Sequence, residues 1–248
     1  MASFLSPREL EEVRRSRRRP RPTQFDYLHV RRLVNDIREA ISSIEGRVED
    51  VLDVYCGCRP YDDLLPPGSR CIGLDIVGNP YGVADVVSDE FLPFEDASFD
   101  LVTCYEAFHY VEDPRRGVAE IRRVVRPGGS TIVSVPFVWE YDRTILEHRF
   151  TGPELSALFV DWEDVSVVEN GNRVVAWATL TGTLLERARV RGARLGAAGR
   201  LLQAGIAGLY VVLNGAAIGL DALDRRHADS DLTLPMNLLV TARRPVGG

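Results

Sequence analysis

Apolar residues recur along the chain in two periods, and the alternation between them outlines an α/β protein. Between residues 27 and 44, Val30, Leu33, Val34, Ile37, Ile41 and Ile44 fall on one helical stripe. Asp50-Val51-Leu52-Asp53-Val54 and Cys71-Ile72-Gly73-Leu74-Asp75-Ile76 are short and mostly apolar, and both predict buried strands. Residues 83–87 predict a third strand and residues 99–104 a fourth. Residues 114–125 place Val118, Ile121, Val124 and Val125 at helical spacing, with Asp113 as N-cap and Pro114 at the first helical position. Arg126-Pro127-Gly128-Gly129 predicts a turn into a strand over residues 131–135, and residues 164–169 and 238–242 predict two late strands. Apolar strands separated by helices specify a mostly parallel sheet covered on both faces.

Two stretches break this rhythm. Residues 14–21 hold six arginines, which predicts a solvated, mobile basic arm over residues 1–24 ahead of one domain over residues 25–248. A contact with an anionic substrate or phosphate is the second reading of those arginines. Residues 201–220 carry no charge and are long enough to cross a bilayer. Gln203 and Asn214 interrupt them, however, and Gly205, Gly208, Gly215 and Gly219 weaken them as a helix. They are read as part of a helical insertion over about residues 178–230, buried or covering a substrate, before the last strand. Membrane contact through residues 201–220, beside Arg187, Arg189, Arg191 and Arg194, is the less favoured reading. A homodimer interface is a further use of the same surface.

Composition narrows the class. A chain of 248 residues with 45% hydrophobic and 27% charged residues suits one soluble domain with an elaboration. Its net charge of −6 argues against a nucleic-acid partner. Cys56, Cys58, Cys71 and Cys104 sit in or beside apolar runs, as reduced thiols of a cytoplasmic protein do. No second ligand pair follows Cys56 and Cys58 at zinc spacing, so no metal is expected. Residues 1–5 lack the pattern of a secretory signal.

In open parallel sheets, ligands bind outside the carboxyl ends of the strands. After the first strand comes Asp53-Val54-Tyr55-Cys56-Gly57-Cys58-Arg59-Pro60-Tyr61, with one glycine where a pyrophosphate cradle needs three. A nicotinamide dinucleotide is therefore disfavoured. Asp75 closes the second strand, where a carboxylate can accept from both hydroxyls of a ribose. Asp89-Glu90-Phe91 follows the third strand; Asp89 can accept from an adenine amino group and Phe91 can pack on the ring. The loop after the fourth strand offers Glu106 and His109, and His148 follows the fifth. Histidine titrates near neutral pH, so both are candidate bases beside Glu106.

Taken in order, these segments resemble the class I S-adenosylmethionine-dependent methyltransferases. The resemblance lies in Val51-Leu52-Asp53-Val54-Tyr55-Cys56-Gly57, Gly73-Leu74-Asp75, Leu92-Pro93-Phe94-Glu95-Asp96-Ala97-Ser98-Phe99-Asp100-Leu101-Val102 and Glu106-Ala107-Phe108-His109-Tyr110-Val111. It continues through Glu120-Ile121-Arg122-Arg123-Val124-Val125-Arg126-Pro127-Gly128-Gly129 to His148-Arg149-Phe150-Thr151. It implies a Rossmann-like sheet of seven strands in the order 3-2-1-4-5-7-6, the seventh antiparallel. It also implies S-adenosylmethionine contacts at Asp53, Gly57, Asp75, Asp89 and around Tyr105, with Tyr55, Ile76, Glu90 and Phe91 beside them. Tyr55 stands where the family usually has glycine. Tyr27, Tyr141 and Arg149 are expected to orient the acceptor. The implied reaction is methyl transfer to a hydroxyl or amine of a small natural product or sugar-containing intermediate. A catalytically silent cofactor-binding scaffold and an RNA methyltransferase using the arginine arm are the alternatives.

Overall fold

A computed structural model of the chain describes residues 5–88, 92–224 and 232–247. Seven strands form one sheet: β1 (Asp50–Val54), β2 (Arg70–Asp75), β3 (Val86–Val87), β4 (Phe99–Tyr105), β5 (Val125–Pro136), β6 (Glu163–Asn170) and β7 (Asn237–Arg243). Their order is β3-β2-β1-β4-β5-β7-β6. β1 pairs in parallel with β2 and β4, and β7 runs antiparallel to both β5 and β6. The seventh strand thus slots between the fifth and sixth, as the resemblance implies.

The central strands are apolar on both sides because helices cover both sides. Val51, Leu101, Ile132 and Leu239 meet Val30, Leu33, Val34, Ile37 and Ile41 of α2 (Tyr27–Ser42). Leu52, Val54, Val102, Cys104, Val133 and Val135 face the other way. There they meet Val118, Ile121 and Val124 of α3 (Pro114–Val124) and Leu155 of α4 (Gly152–Leu158). Alternate residues of each strand therefore enter two different cores. Asp113 caps α3 by accepting from the backbone N–H groups of Arg115 and Arg116.

Four local expectations change. The third strand is only two residues long. Residues 126–129 form no separate turn; they lie within β5 as an irregularity opposite residues 99–101, and Gly128 takes a positive φ of 81°. The basic stretch forms α1 (Pro7–Arg18), closed at its start by a reciprocal Ser6–Glu9 capping box. The helical insertion consists of α5 (Arg173–Gly192) and α6 (Gly196–Asp224), so it begins at residue 173.

Candidate active site

The strand ends build the site. Cys56 N–H donates to the carbonyl of Leu74 on the neighbouring strand, which draws the loop after β1 across the carboxyl edge of the sheet. Asp75, buried at the end of β2, clamps that loop: its Oδ2 accepts from Gly57 N–H at 2.8 Å and from the Asn79 amide. Its Oδ1 accepts from Ile76 N–H at 2.8 Å. A carboxylate offers about four lone-pair positions, so Oδ1 retains one for a ligand. The Ile76 side chain itself points to solvent.

Tyr55, Gly57 and Arg59 all adopt positive φ, at 54°, 54° and 53°. A Cβ on Gly57 would meet nothing closer than 4.0 Å, so backbone conformation, not crowding within the chain, favours glycine there. Tyr55 holds the same left-handed conformation with a full side chain, at a cost of about 1–2 kcal/mol. Its ring packs against the core cluster under β1 and β4. The loop therefore keeps a glycine-type path without the glycine. Gly73 answers a different need: a Cβ there would lie 2.9 Å from Cys56 Sγ and 3.3 Å from the Arg59 side chain. Arg59 in turn pairs with Asp62 and Asp85, and Asp85 also accepts from Gly73 N–H.

A cavity of about 270 Å³ opens at this edge, lined by Asp53, Tyr55, Gly57, Tyr105, Glu106 and His109 of the expected set. Asp53 is buried and takes one hydrogen bond, from Thr103 Oγ1 at 3.0 Å. Desolvation pushes its carboxyl up to about 7. Four residues of the cavity wall, Tyr105, Glu106, His109 and His29, each bury a side-chain polar atom that makes no hydrogen bond of good geometry among the described residues, although Thr103 lies beside Tyr105 and Asn170 beside His29. Buried polar groups are mostly satisfied, so their gathering on one wall suits a polar ligand.

Glu106 sits at φ 54° and its backbone N–H donates to Ser134 at the end of β5. Its Oε2 accepts from the Asn237 amide, and burial raises its carboxyl above the usual range. His109 differs from expectation in its titration. Burial, helped by the nearby Arg149 charge, lowers its pKa to about 4, so at neutral pH the ring is neutral and a weak base. The two shifts run in opposite directions, Glu106 gaining basicity and His109 losing it.

The remaining expected residues lie elsewhere. His148 turns its Nε2 to the Glu112 carbonyl at 3.3 Å and stacks on Phe150, off the cavity wall. Arg149 pairs with Glu147 at 2.8 Å. Tyr141 is 66% exposed. Tyr27 accepts from Arg31 and does not line the cavity. Asp89, Glu90 and Phe91 lie outside the described residues. Two residues were missed. His29, in the first turn of α2, has its pKa lowered by burial to about 4. Asn237 opens β7, and an antiparallel strand begins where its parallel neighbours end, a placement readable from the strand order alone.

This geometry has counterparts among known proteins. Residues 52–133 match the family described as a methyltransferase domain. Over that segment the chain is similar to the class I S-adenosylmethionine-dependent methyltransferases. The malonyl-[acyl-carrier protein] O-methyltransferase of Hahella chejuensis is 35% identical over 120 residues, 40% of this chain and 41% of the relative. The mitochondrial arginine-hydroxylase NDUFAF5 of Homo sapiens is 31% identical over 132 residues, 45% of this chain and 35% of the relative. The chain thus spans about two fifths of the length of these curated relatives. The solved structure of the [4+2]-cyclase SpnF shares the fold at a TM-score of 0.53 and 19% identity, over 89% of this chain and 83% of that one. Proteins named for other reactions therefore share this sequence segment or this fold, and the reaction must be argued from the site.

The residues present fit S-adenosylmethionine. Its amino-acid end is cationic at the ammonium and the sulfonium, which suits the desolvated Asp53 carboxylate on the wall. Its ribose hydroxyls suit the open lone pair of Asp75 Oδ1. It carries no phosphate, matching a loop with one glycine.

Proposed function

We propose that the protein transfers a methyl group from S-adenosylmethionine to a hydroxyl or amine of a small acceptor, a natural product or sugar-containing intermediate. The observation that carries this reading is the gathering of the buried polar side chains of Tyr105, Glu106, His109 and His29 on a wall shared with the cofactor loop. When bound, S-adenosylmethionine supplies a methyl group already activated on a sulfonium. What remains for the chain is to align the acceptor and take its proton.

Asp53 and Gly57 line the cofactor end of the cavity, and Asp75, off the wall, holds the loop that carries Gly57. Glu106 Oε1 takes the acceptor's proton: Asn237 fixes the other carboxyl oxygen, and burial raises the basicity of the group. Neutral His109 and His29 orient the acceptor through hydrogen bonds, because burial keeps both rings uncharged at neutral pH. Trp139, packed 6.0 Å from His29 ring to ring, helps to close the site to water.

The test pairs binding with turnover. Calorimetry should show S-adenosylhomocysteine binding to the full chain. Tritiated methyl transfer should then be screened over hydroxylated and amino acceptors. With a hydroxyl acceptor, Glu106→Gln lowers the transfer rate about 10²–10⁴-fold and leaves product binding unchanged. No binding of S-adenosylhomocysteine would sink the reading in favour of a silent scaffold.

A further inference from the structure

Above the transfer cavity lies a second, larger one of about 1040 Å³, walled by α1, the segment leading into α2, and the insertion helices. Arg17 and Tyr81 line both cavities, so they adjoin. The boundary is aromatic: Phe25 of the large cavity stacks on Trp139 of the small one at 6.5 Å. α1 is fastened over the cofactor loop, with Arg14 Nε donating to the Cys58 carbonyl at 2.6 Å. Phe25 is fixed from the other side by α5, where a Cβ on Gly182 would lie 2.8 Å from the Phe25 Cβ.

The charge on these walls does not cancel. Among the described residues four carboxylates face the cavity, and three are already engaged: Glu11 by Arg18, Asp26 by Arg17 and Glu186 by Arg189. Against the remaining Glu12 stand Arg8, Arg15, Arg19 and Arg21, which have no carboxylate partner among the described residues. Like charges gathered around one space repel each other, and an anion placed between them removes that cost. Guanidinium groups also match the planar fork of a carboxylate or the oxygens of a phosphate. The insertion helices contribute Gln203, Ala207 and Tyr210 beside the Glu186–Arg189 pair, so they add aromatic surface and no unpaired charge.

We propose that this cavity is the acceptor's vestibule and that the acceptor carries a phosphate or carboxylate group held by Arg15, Arg19 and Arg21. The anionic group stays among the arginines while the body of the molecule passes Phe25 and Trp139 to reach Glu106 and His109. The inference rests on the methyl-transfer reading for the acceptor's role, but not for the anion site itself.

The test titrates the full chain, with and without S-adenosylhomocysteine, with phenyl phosphate, benzoate and phenol. The anions are expected to bind at least about tenfold more tightly than phenol, and the stronger of the two shows which anion is preferred. Combining Arg15→Ala, Arg19→Ala and Arg21→Ala should abolish that preference and leave S-adenosylhomocysteine binding unchanged. A charge-matched control combining Arg38→Ala, Arg47→Ala and Arg115→Ala, all exposed and outside the cavity, should keep it. Equal binding of phenol and the anions, or equal losses in both triple variants, would overturn the vestibule. Arginine-dependent anion binding without S-adenosylhomocysteine binding would uphold the anion site and remove the cofactor reading instead.

Discussion

The cofactor side of the molecule and its helical cover are built on opposite terms. In β1, β2 and β4 the residues leading into the site are buried, and the loops beyond them are pinned by short hydrogen bonds to the next strand. In the cover, α1 buries none of its residues. The most apolar 18-residue window of α6 is only 22% buried. Leu201, Leu209, Val212 and Leu223 lie along an outer face of α6, and a Cβ at Gly205, Gly208, Gly215 or Gly219 would touch nothing. α6 is long and apolar enough to cross a membrane, yet Asn214 ties it to the body by donating to the carbonyls of Pro22 and Gln24. Precise placement of small polar groups needs a saturated framework, whereas a cover over a cavity leaves surface in reserve.

The contrast predicts unequal responses to substitution. Asp75→Ala should have the largest effect. It strips the acceptor from Gly57 N–H, Ile76 N–H and the Asn79 amide, at about 1 kcal/mol each, so S-adenosylhomocysteine affinity should fall about 10²-fold by calorimetry. A loss under threefold would mean the loop is held by something other than the strand ends.

Asp53 gives an intermediate effect with a definite sign. Burial raises its folded pKa to about 7 from 3.8, so between those values the folded chain binds the proton more tightly than the unfolded one. On this group's account, stability is greatest below about pH 4, falls as pH rises towards 7, and levels off above it. Ligand binding runs the other way, because the ligand's ammonium group pairs with the ionised carboxylate. S-adenosylhomocysteine affinity should rise about tenfold from pH 6 to pH 8, and Asp53→Asn should flatten both profiles. A binding profile unchanged by Asp53→Asn would place the ammonium elsewhere.

The smallest effect belongs to the cover. Leu209→Ser with Val212→Ser alters side chains that touch solvent, so unfolding free energy should change by no more than about 0.5 kcal/mol in denaturant titrations. A larger loss would show that this face is covered in solution.

Much of the framework was legible in advance because it is periodic. The stripe Val30, Leu33, Val34, Ile37 and Ile41 became the buried face of α2, and Asp113 with Pro114 marked the start of α3. The placement of Asp53, Gly57, Asp75, Tyr105 and Glu106 at or just beyond strand ends was legible because the chain leaves a parallel strand at its carboxyl edge. His148 was misleading because its position after β5 resembles that of a site residue, while its ring direction depends on the Glu112 carbonyl and Phe150. The titration of His109 was equally hidden, since residue type suggests a neutral-pH base and desolvation removes that property.

What the amino-acid order determined by itself was the sequence of strands and helices and the residues standing at each strand's exit. Those features follow from local hydrophobic period and the reach of a crossover, which need no knowledge of distant partners. Only the tertiary structure brought His29 from α2, Asn237 from β7 and Glu106 from the end of β4 to one wall, and set α1 over the Gly57 loop. These meetings join residues from 44 to 208 positions apart. Whether they occur depends on which faces pack, how β7 inserts between its neighbours, and how much water is expelled, and no single segment carries that information.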